Sequence, residues 1–265
     1  MKIEFRCDLA EARIPLRHFW EYCVGSDHAT VALRGDWQRQ LNRCHQELGF
    51  ERVRFHGLLS DDVGTLVCEC GKLIYSFFNA DRIFDFLISI GMHPFVELSF
   101  MPTALASGRK TVFHYKANVT PPKDYKLWAT LIRKLAGHWV ERYGIREMRE
   151  WNFEVWNEPN LKAFWTGTQR EYFKLYRYTA EAIKETDSSL RVGGPATAMN
   201  EWIEEFRNFC ERNKLSLDFV STHHYPTDAF GDSGDDTEAQ LSKSRRGVLR
   251  QQAHDARRRA GDLPL

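Results

Sequence analysis

An asparagine and a glutamate stand side by side in the run Trp151-Asn152-Phe153-Glu154-Val155-Trp156-Asn157-Glu158-Pro159-Asn160. A carboxylic acid can protonate a leaving oxygen while a neighbouring amide holds a sugar's 2-hydroxyl, so the pair suits cleavage of a glycosidic bond. Residues 151–156 are aromatic and β-branched and read as a buried strand, which Pro159 ends. Asn157 and Glu158 then stand at the strand's C-terminal tip, and in a (β/α)8 barrel those tips form the active-site rim. Asn-Glu-Pro alone is also what an ordinary strand-end turn carries. The two tryptophans, the strand register and the following Leu161, Phe164 and Trp165 set this copy apart.

The elements around the motif alternate between strand and helix. A first strand is expected over 18–25, then a helix with Trp37, Leu41, Cys44 and Leu48 on one face and Gly49 as its stop. Arg52–His56 reads as the second strand. Asn79 is expected to cap a helix carrying Ile83, Phe84, Leu87 and Ile88, which stops at Gly91. Pro94–Phe100 is the third strand, and a long loop, 101–122, follows. The next helix shows Trp128, Leu131, Leu135 and Trp139 and runs to Gly144. After the motif strand, Thr168-Gln169-Arg170-Glu171 has the form of a capping box. Residues 190–194 and 217–223 are the fifth and sixth strands, and 238–260 is helical in pattern.

Such alternation implies a parallel sheet, either doubly wound or closed as a barrel. Polar residues fall at the tips of several strands, which favours the barrel over the single switch point of an open sheet. No early Gly-x-Gly-x-x-Gly supports a nucleotide site. The expected fold is α/β, a TIM (β/α)8-type barrel with about six of eight units. Residues 1–17 form a lead-in and 18–265 the partial barrel; the pattern calls for a seventh strand at Asp262–Leu265.

A formal net charge of +1 gives no electrostatic case for nucleic acid, and Arg257-Arg258-Arg259 reads as a solvated helix face. No stretch approaches the roughly 20 apolar residues of a membrane span. With no apolar leader at Met1–Arg6 and six scattered cysteines, a reducing cytoplasm is the simplest location. Cys68-Glu69-Cys70 lacks a second ligand pair, so no metal and no cofactor are expected.

The chain resembles the β-xylosidases of glycoside hydrolase family 39, relatives of α-L-iduronidase. The resemblance rests on Arg52–Gly57, Phe95–Pro102, Asn118–Pro122, Phe153–Leu161, Val192–Pro195 and Asp218–Ser221, in that order along the chain. It implies a retaining exo-β-1,4-xylosidase acting on xylo-oligosaccharides or on aryl and alkyl β-xylosides. By it, Glu158 is the general acid/base, Asn157 binds the sugar 2-hydroxyl and His56 binds glycone hydroxyls. His223 and Tyr225 match a His-x-Tyr at the sixth strand's tip, and Glu97 binds a hydroxyl or makes a rim hydrogen bond. His114-Tyr115 stands where a Tyr-Trp pair is expected, so Tyr115 is a candidate subsite wall.

Retaining hydrolysis needs a second carboxylate. The family carries it as a Glu in a Thr-Glu motif at the seventh strand, and no Glu follows Glu238 here. The expectation is therefore a truncated chain, inactive alone and open to self-association through its unclosed side. Two other readings are an iduronidase-like exo-glycosidase, to which Arg109, Lys110 and Lys116 offer cations, and a non-catalytic carbohydrate-binding remnant. The acidic run Gly231–Asp236 reads as a solvated loop rather than a calcium site.

Overall fold

The computed structural model describes residues 4, 15–225 and 248–264. Its central feature is a sheet of six parallel strands with helices packed on its outer face. The first unit is β1 (Val24–His28), then α1 (Gly35–Leu48) and β2 (Arg52–His56). A hairpin, β3 (Leu66–Glu69) and β4 (Lys72–Tyr75), precedes α2 (Phe78–Ser89) and β5 (His93–Leu98). A two-residue ladder, β6 (Thr111–Val112) with β7 (Ala117–Asn118), lies inside the long loop. Next come α3 (Tyr125–Tyr143), the single turn α4 (Ile145–Met148), the motif strand β8 (Asn152–Val155) and α5 (Gln169–Thr186). The remaining elements are β9 (Arg191–Ala198), α6 (Ile203–Arg212), β10 (Phe219–His223) and α7 (Val248–Ala260).

The strand order is β1-β2-β5-β8-β9-β10, with every neighbouring pair parallel. Sequential units thus lie side by side, as in a (β/α) barrel, and among the described residues the sheet does not close.

β8 is buried at all four positions because a parallel sheet is covered on both faces. Trp128, Leu131, Leu135 and Trp139 of α3 are at most 1% exposed. Trp128 Nε1 donates to Thr179 Oγ1 of α5 at 2.8 Å, which satisfies the indole N–H inside the helix layer. Gly49, at φ 76°, ends α1 in the left-handed region. Thr168 and Glu171 form the expected capping box.

Several local expectations are corrected. The first strand begins at Val24, and Phe19–Glu21 is a short 3-10 turn. Asn79 does not cap α2; its amide donates to the Val63 carbonyl, and Phe77 occupies the cap position. Leu48, expected on the buried face of α1, is 51% exposed at its last position. On β10, Val220 packs with Ile203, Ala256 and Ala260, and with the half-buried Leu217 and Leu263. Its N–H also donates to the Pro264 carbonyl at 2.7 Å, so the chain returns to the edge of β10 after α7. The Gly231–Asp236 run, Glu238 and Leu241 lie outside the described residues, as do the side chains of Val248 and Leu249.

Candidate active site

The polar cluster is assembled by alternation along the strands. Arg54 and His56 lie two apart on β2, Glu97 stands near the end of β5, and Glu154 lies on β8 four residues before Glu158. In a parallel barrel these same-side positions converge at the C-terminal end of the sheet.

Arg54 Nε donates to Glu154 Oε2 at 2.6 Å and Nη2 to Asn157 Oδ1 at 3.0 Å, and Nη2 forms an ion pair with Glu97 Oε2 at 2.7 Å. His56 Nδ1 lies 2.7 Å from the same Glu97 oxygen, and the Ser99 hydroxyl donates to the other one. Glu97 is wholly enclosed. Burial on its own would raise its pKa, but Arg54, His56 and Ser99 outweigh burial and hold the carboxyl below its ordinary range. For His56 burial pulls the pKa down, and Glu97 reverses that, so the net direction is up.

After β8 the backbone turns left-handed at Trp156 (φ 72°) and again at Glu158 (φ 44°). Such turns at non-glycine residues persist only where packing over-determines them. Trp156 is fully buried, its Nε1 donates to the Phe164 carbonyl at 2.8 Å, and its ring meets Trp165 edge-on at 5.0 Å. The Glu158 N–H then donates to the Ala196 carbonyl of β9 at 2.8 Å. The side chain of Asn160 grips Ala198 twice, accepting from its N–H at 2.9 Å and donating to its carbonyl at 3.1 Å. Across the tips, His223 Nδ1 lies 2.9 Å from Glu158 Oε1.

The residues singled out from sequence divide into three groups. His56, Glu97 and Asn157 are joined through Arg54, and Glu158 pairs with His223. Tyr115 lies beside the cluster, its ring stacked on His28 at 4.0 Å. Its buried hydroxyl has no hydrogen-bond partner among the described residues. Burial first, then Glu97, Asp27 and Asp62, raise the Tyr115 pKa, so the hydroxyl keeps its proton. Tyr225 stands apart: it is 69% exposed and hydrogen-bonds to no described residue.

Sequence reasoning missed Arg54, Glu154, Ser99 and His28. The available signal was a charged residue inside an apolar strand, since buried Arg and Glu are rare unless paired. A cavity of about 700 Å³ lies beneath the tips along the unclosed side, lined by Arg54, Asn152, Glu154, Ser221, His223 and His224 among others. Ser221 Oγ and His224 Nδ1 are buried there without partners among the described residues. Burial pushes the Cys23 and Cys210 thiols up to about 12, so these two stay protonated. No group of three or more potential metal ligands occurs among the described residues. Nor is any described helix long and apolar enough to cross a membrane.

A parallel β/α sheet with its polar cluster at the C-terminal strand tips, an Asn-Glu pair among them, is the arrangement of the (β/α)-barrel glycosidases. The chain belongs to the glycosyl hydrolases family 39, whose family model matches residues 1–265. It is 57% identical over 254 residues to a beta-xylosidase of Caldicellulosiruptor saccharolyticus, covering 94% of this chain and 52% of that protein. An alpha-L-iduronidase of Canis lupus familiaris is 31% identical over 241 residues, covering 82% of this chain and 35% of its own length. The crystal structure of a beta-xylosidase from Caulobacter crescentus CB15 superposes with a TM-score of 0.85 at 37% identity, covering 97% of this chain and 52% of that one. The chain thus spans about half the length of the beta-xylosidases it matches.

Proposed function

We propose that this chain is the acid/base half of a retaining β-xylosidase site. The observation that carries the reading is the separate tethering of two neighbours at one strand tip: Asn157 to Arg54 at 3.0 Å and Glu158 to His223 at 2.9 Å. In this reading a β-xyloside of an oligosaccharide or an aryl or alkyl group lies across the tips. Asn157 meets the 2-hydroxyl, while His56, with Nδ1 taken by Glu97, offers Nε2 to a glycone hydroxyl. Tyr115 walls the subsite.

Chemistry then proceeds in two displacements. Protonated Glu158 gives its proton to the glycosidic oxygen as the C1–O bond breaks, and a carboxylate bonds to C1. Glu158, now a base, removes a proton from water, which attacks C1 and releases xylose. The nucleophilic carboxylate comes from outside the described residues. Glu97 is held by Arg54, His56 and Ser99 and Glu154 by Arg54, so neither carboxylate is free to bond an anomeric carbon. A pentoside fits better than a uronide, because the guanidinium in the cluster is already engaged by two carboxylates.

The test is a hybrid in which this chain is continued by the part of the Caldicellulosiruptor saccharolyticus beta-xylosidase that follows the matched region. Glu158→Ala should cripple hydrolysis of xylosides with poor leaving groups, while those with good leaving groups lose less in their first step. Azide should restore part of the turnover by replacing the activated water. Equal loss on both substrate types with no response to azide would remove Glu158 from the role. An aryl iduronide cleaved faster than an aryl xyloside would reassign the substrate.

A further inference from the structure

Arg54 has a consequence that the roles above do not contain. A guanidinium donates and never accepts, whereas a carboxamide presents a carbonyl oxygen at one end and two N–H groups at the other. The end of Asn157 that faces Arg54 at 3.0 Å must therefore be Oδ1. Arg54 cannot swing away, because Glu154 holds its Nε at 2.6 Å and Glu97 Oε2 lies 2.7 Å from the same Nη2 that faces Asn157. Asn157 is 2% exposed, and its Nδ2 hydrogen-bonds to no described residue, so the donor end is the one left for a ligand.

We propose that Arg54 is a positioning residue that locks the Asn157 amide with its NH2 toward the sugar, which makes C2 of the glycone a position where only a hydrogen-bond acceptor is tolerated. The proposal rests on the glycoside reading of the cleft. A 2-hydroxyl accepts from Nδ2 and keeps its own proton to donate elsewhere. A 2-deoxy sugar leaves a buried N–H unpaired. A 2-ammonium group has no lone pair and sets N–H against N–H. Sites built around a buried polar group reject analogues that cannot pair with it far more strongly than apolar pockets reject a misfit.

The experiment is calorimetric titration of the chain with methyl β-xyloside, its 2-deoxy analogue and its 2-amino-2-deoxy analogue, the last at a pH that keeps the amine protonated. Wild type should bind the hydroxyl sugar about tenfold or more tightly than either analogue. Arg54→Met paired with Glu154→Gln removes the buried cation together with one of its anions and frees the amide to turn. Both affinity ratios should then fall toward one, whereas a merely structural Arg54 would weaken all three ligands by one factor. Asn157→Asp presents only acceptors and should raise the ammonium sugar's affinity relative to the hydroxyl sugar, which keeps the test alive if the double variant does not fold. Unchanged ratios in a folded double variant, or an unchanged order in Asn157→Asp, would overturn the proposal. Wild type that binds methyl β-xyloside yet treats the three alike would overturn it while leaving the glycoside reading in place. Wild type that binds none of them would overturn both.

Discussion

His56 Nδ1 and Glu97 Oε2 meet at 2.7 Å between β2 and β5, beyond Arg54 and Phe95, the last register pair of those two strands. The side chains therefore join the strands where the backbone ladder has ended. The contact favours the charged form of both partners, and this sets a pH window. Outside it an imidazole titrates near 6.5 and a carboxyl near 4.5. His56, raised, contributes stability that is complete below 6.5 and lost as pH rises through its folded value. Glu97, lowered, contributes stability that is complete above 4.5 and lost as pH falls through its folded value. Both act fully between those limits. Arg54 and Glu154, the other charges facing the pair, pull His56 in opposite directions. Proton NMR should place the His56 titration above that of a free imidazole, and Glu97→Gln should bring it down. A His56 that titrates at or below the free value sinks this account.

Thr179→Val keeps the shape of the α3–α5 contact and removes the acceptor for the Trp128 indole. The N–H is fully buried and would be left unpaired, so the loss should be about 1–3 kcal/mol. Chemical denaturation would measure it. An unchanged midpoint and slope would mean that the helix layer relaxes to admit water.

Gly193 sits where β9 passes closest to β10: a Cβ there would lie 2.4 Å from the Phe219 carbonyl oxygen and 2.7 Å from its ring. Backbone cannot step aside as a flexible side chain can. Gly193→Ala should cost at least about 1–3 kcal/mol and loosen the β10 edge. Thermal melts and limited proteolysis between 213 and 218 report the two effects, and a variant that melts like wild type would contradict the tight approach.

The two terminal strands of the sheet, β1 and β10, each lack a second strand neighbour among the described residues. Exposed strand edges pair with other chains. The chain alone should therefore associate as its concentration rises, less through the outer face of β10, which α7 covers, than through β1 and the cavity side. Light scattering that shows a monodisperse monomer across the range would exclude this.

The order of the sheet was legible because each parallel strand is a short apolar run followed by a helix of period 3.6, and tertiary packing reinforces both signals. Gly49 and the Thr168–Glu171 box marked helix ends because their chemistry is local. The β3–β4 hairpin was not legible: its turn places Cys70 (φ 48°) and Gly71 (φ 77°) where Asn-Gly would have announced it. Asn79 misled because an amide near a helix start suggests a cap, and only the folded chain brings Val63 within its reach. For the site, Asn157 and Glu158 were readable from their position after a buried strand. Arg54 was not, because its meaning depends on acceptors from residues 97, 154 and 157, which come together only when the sheet has curled.

The double grip of Asn160 on Ala198 also bears on engineering. Glu158 is carried on the end of one strand, yet its backbone is fastened to the next strand at Ala196 and the Asn160 side chain fastens the following turn to Ala198. A transplant of the Asn-Glu-Pro-Asn run into another scaffold would carry the acid group without its mounting. The portable unit is two segments, 156–160 and 196–200, and a designer who moves only the first should expect the carboxyl to be present but aimed at nothing.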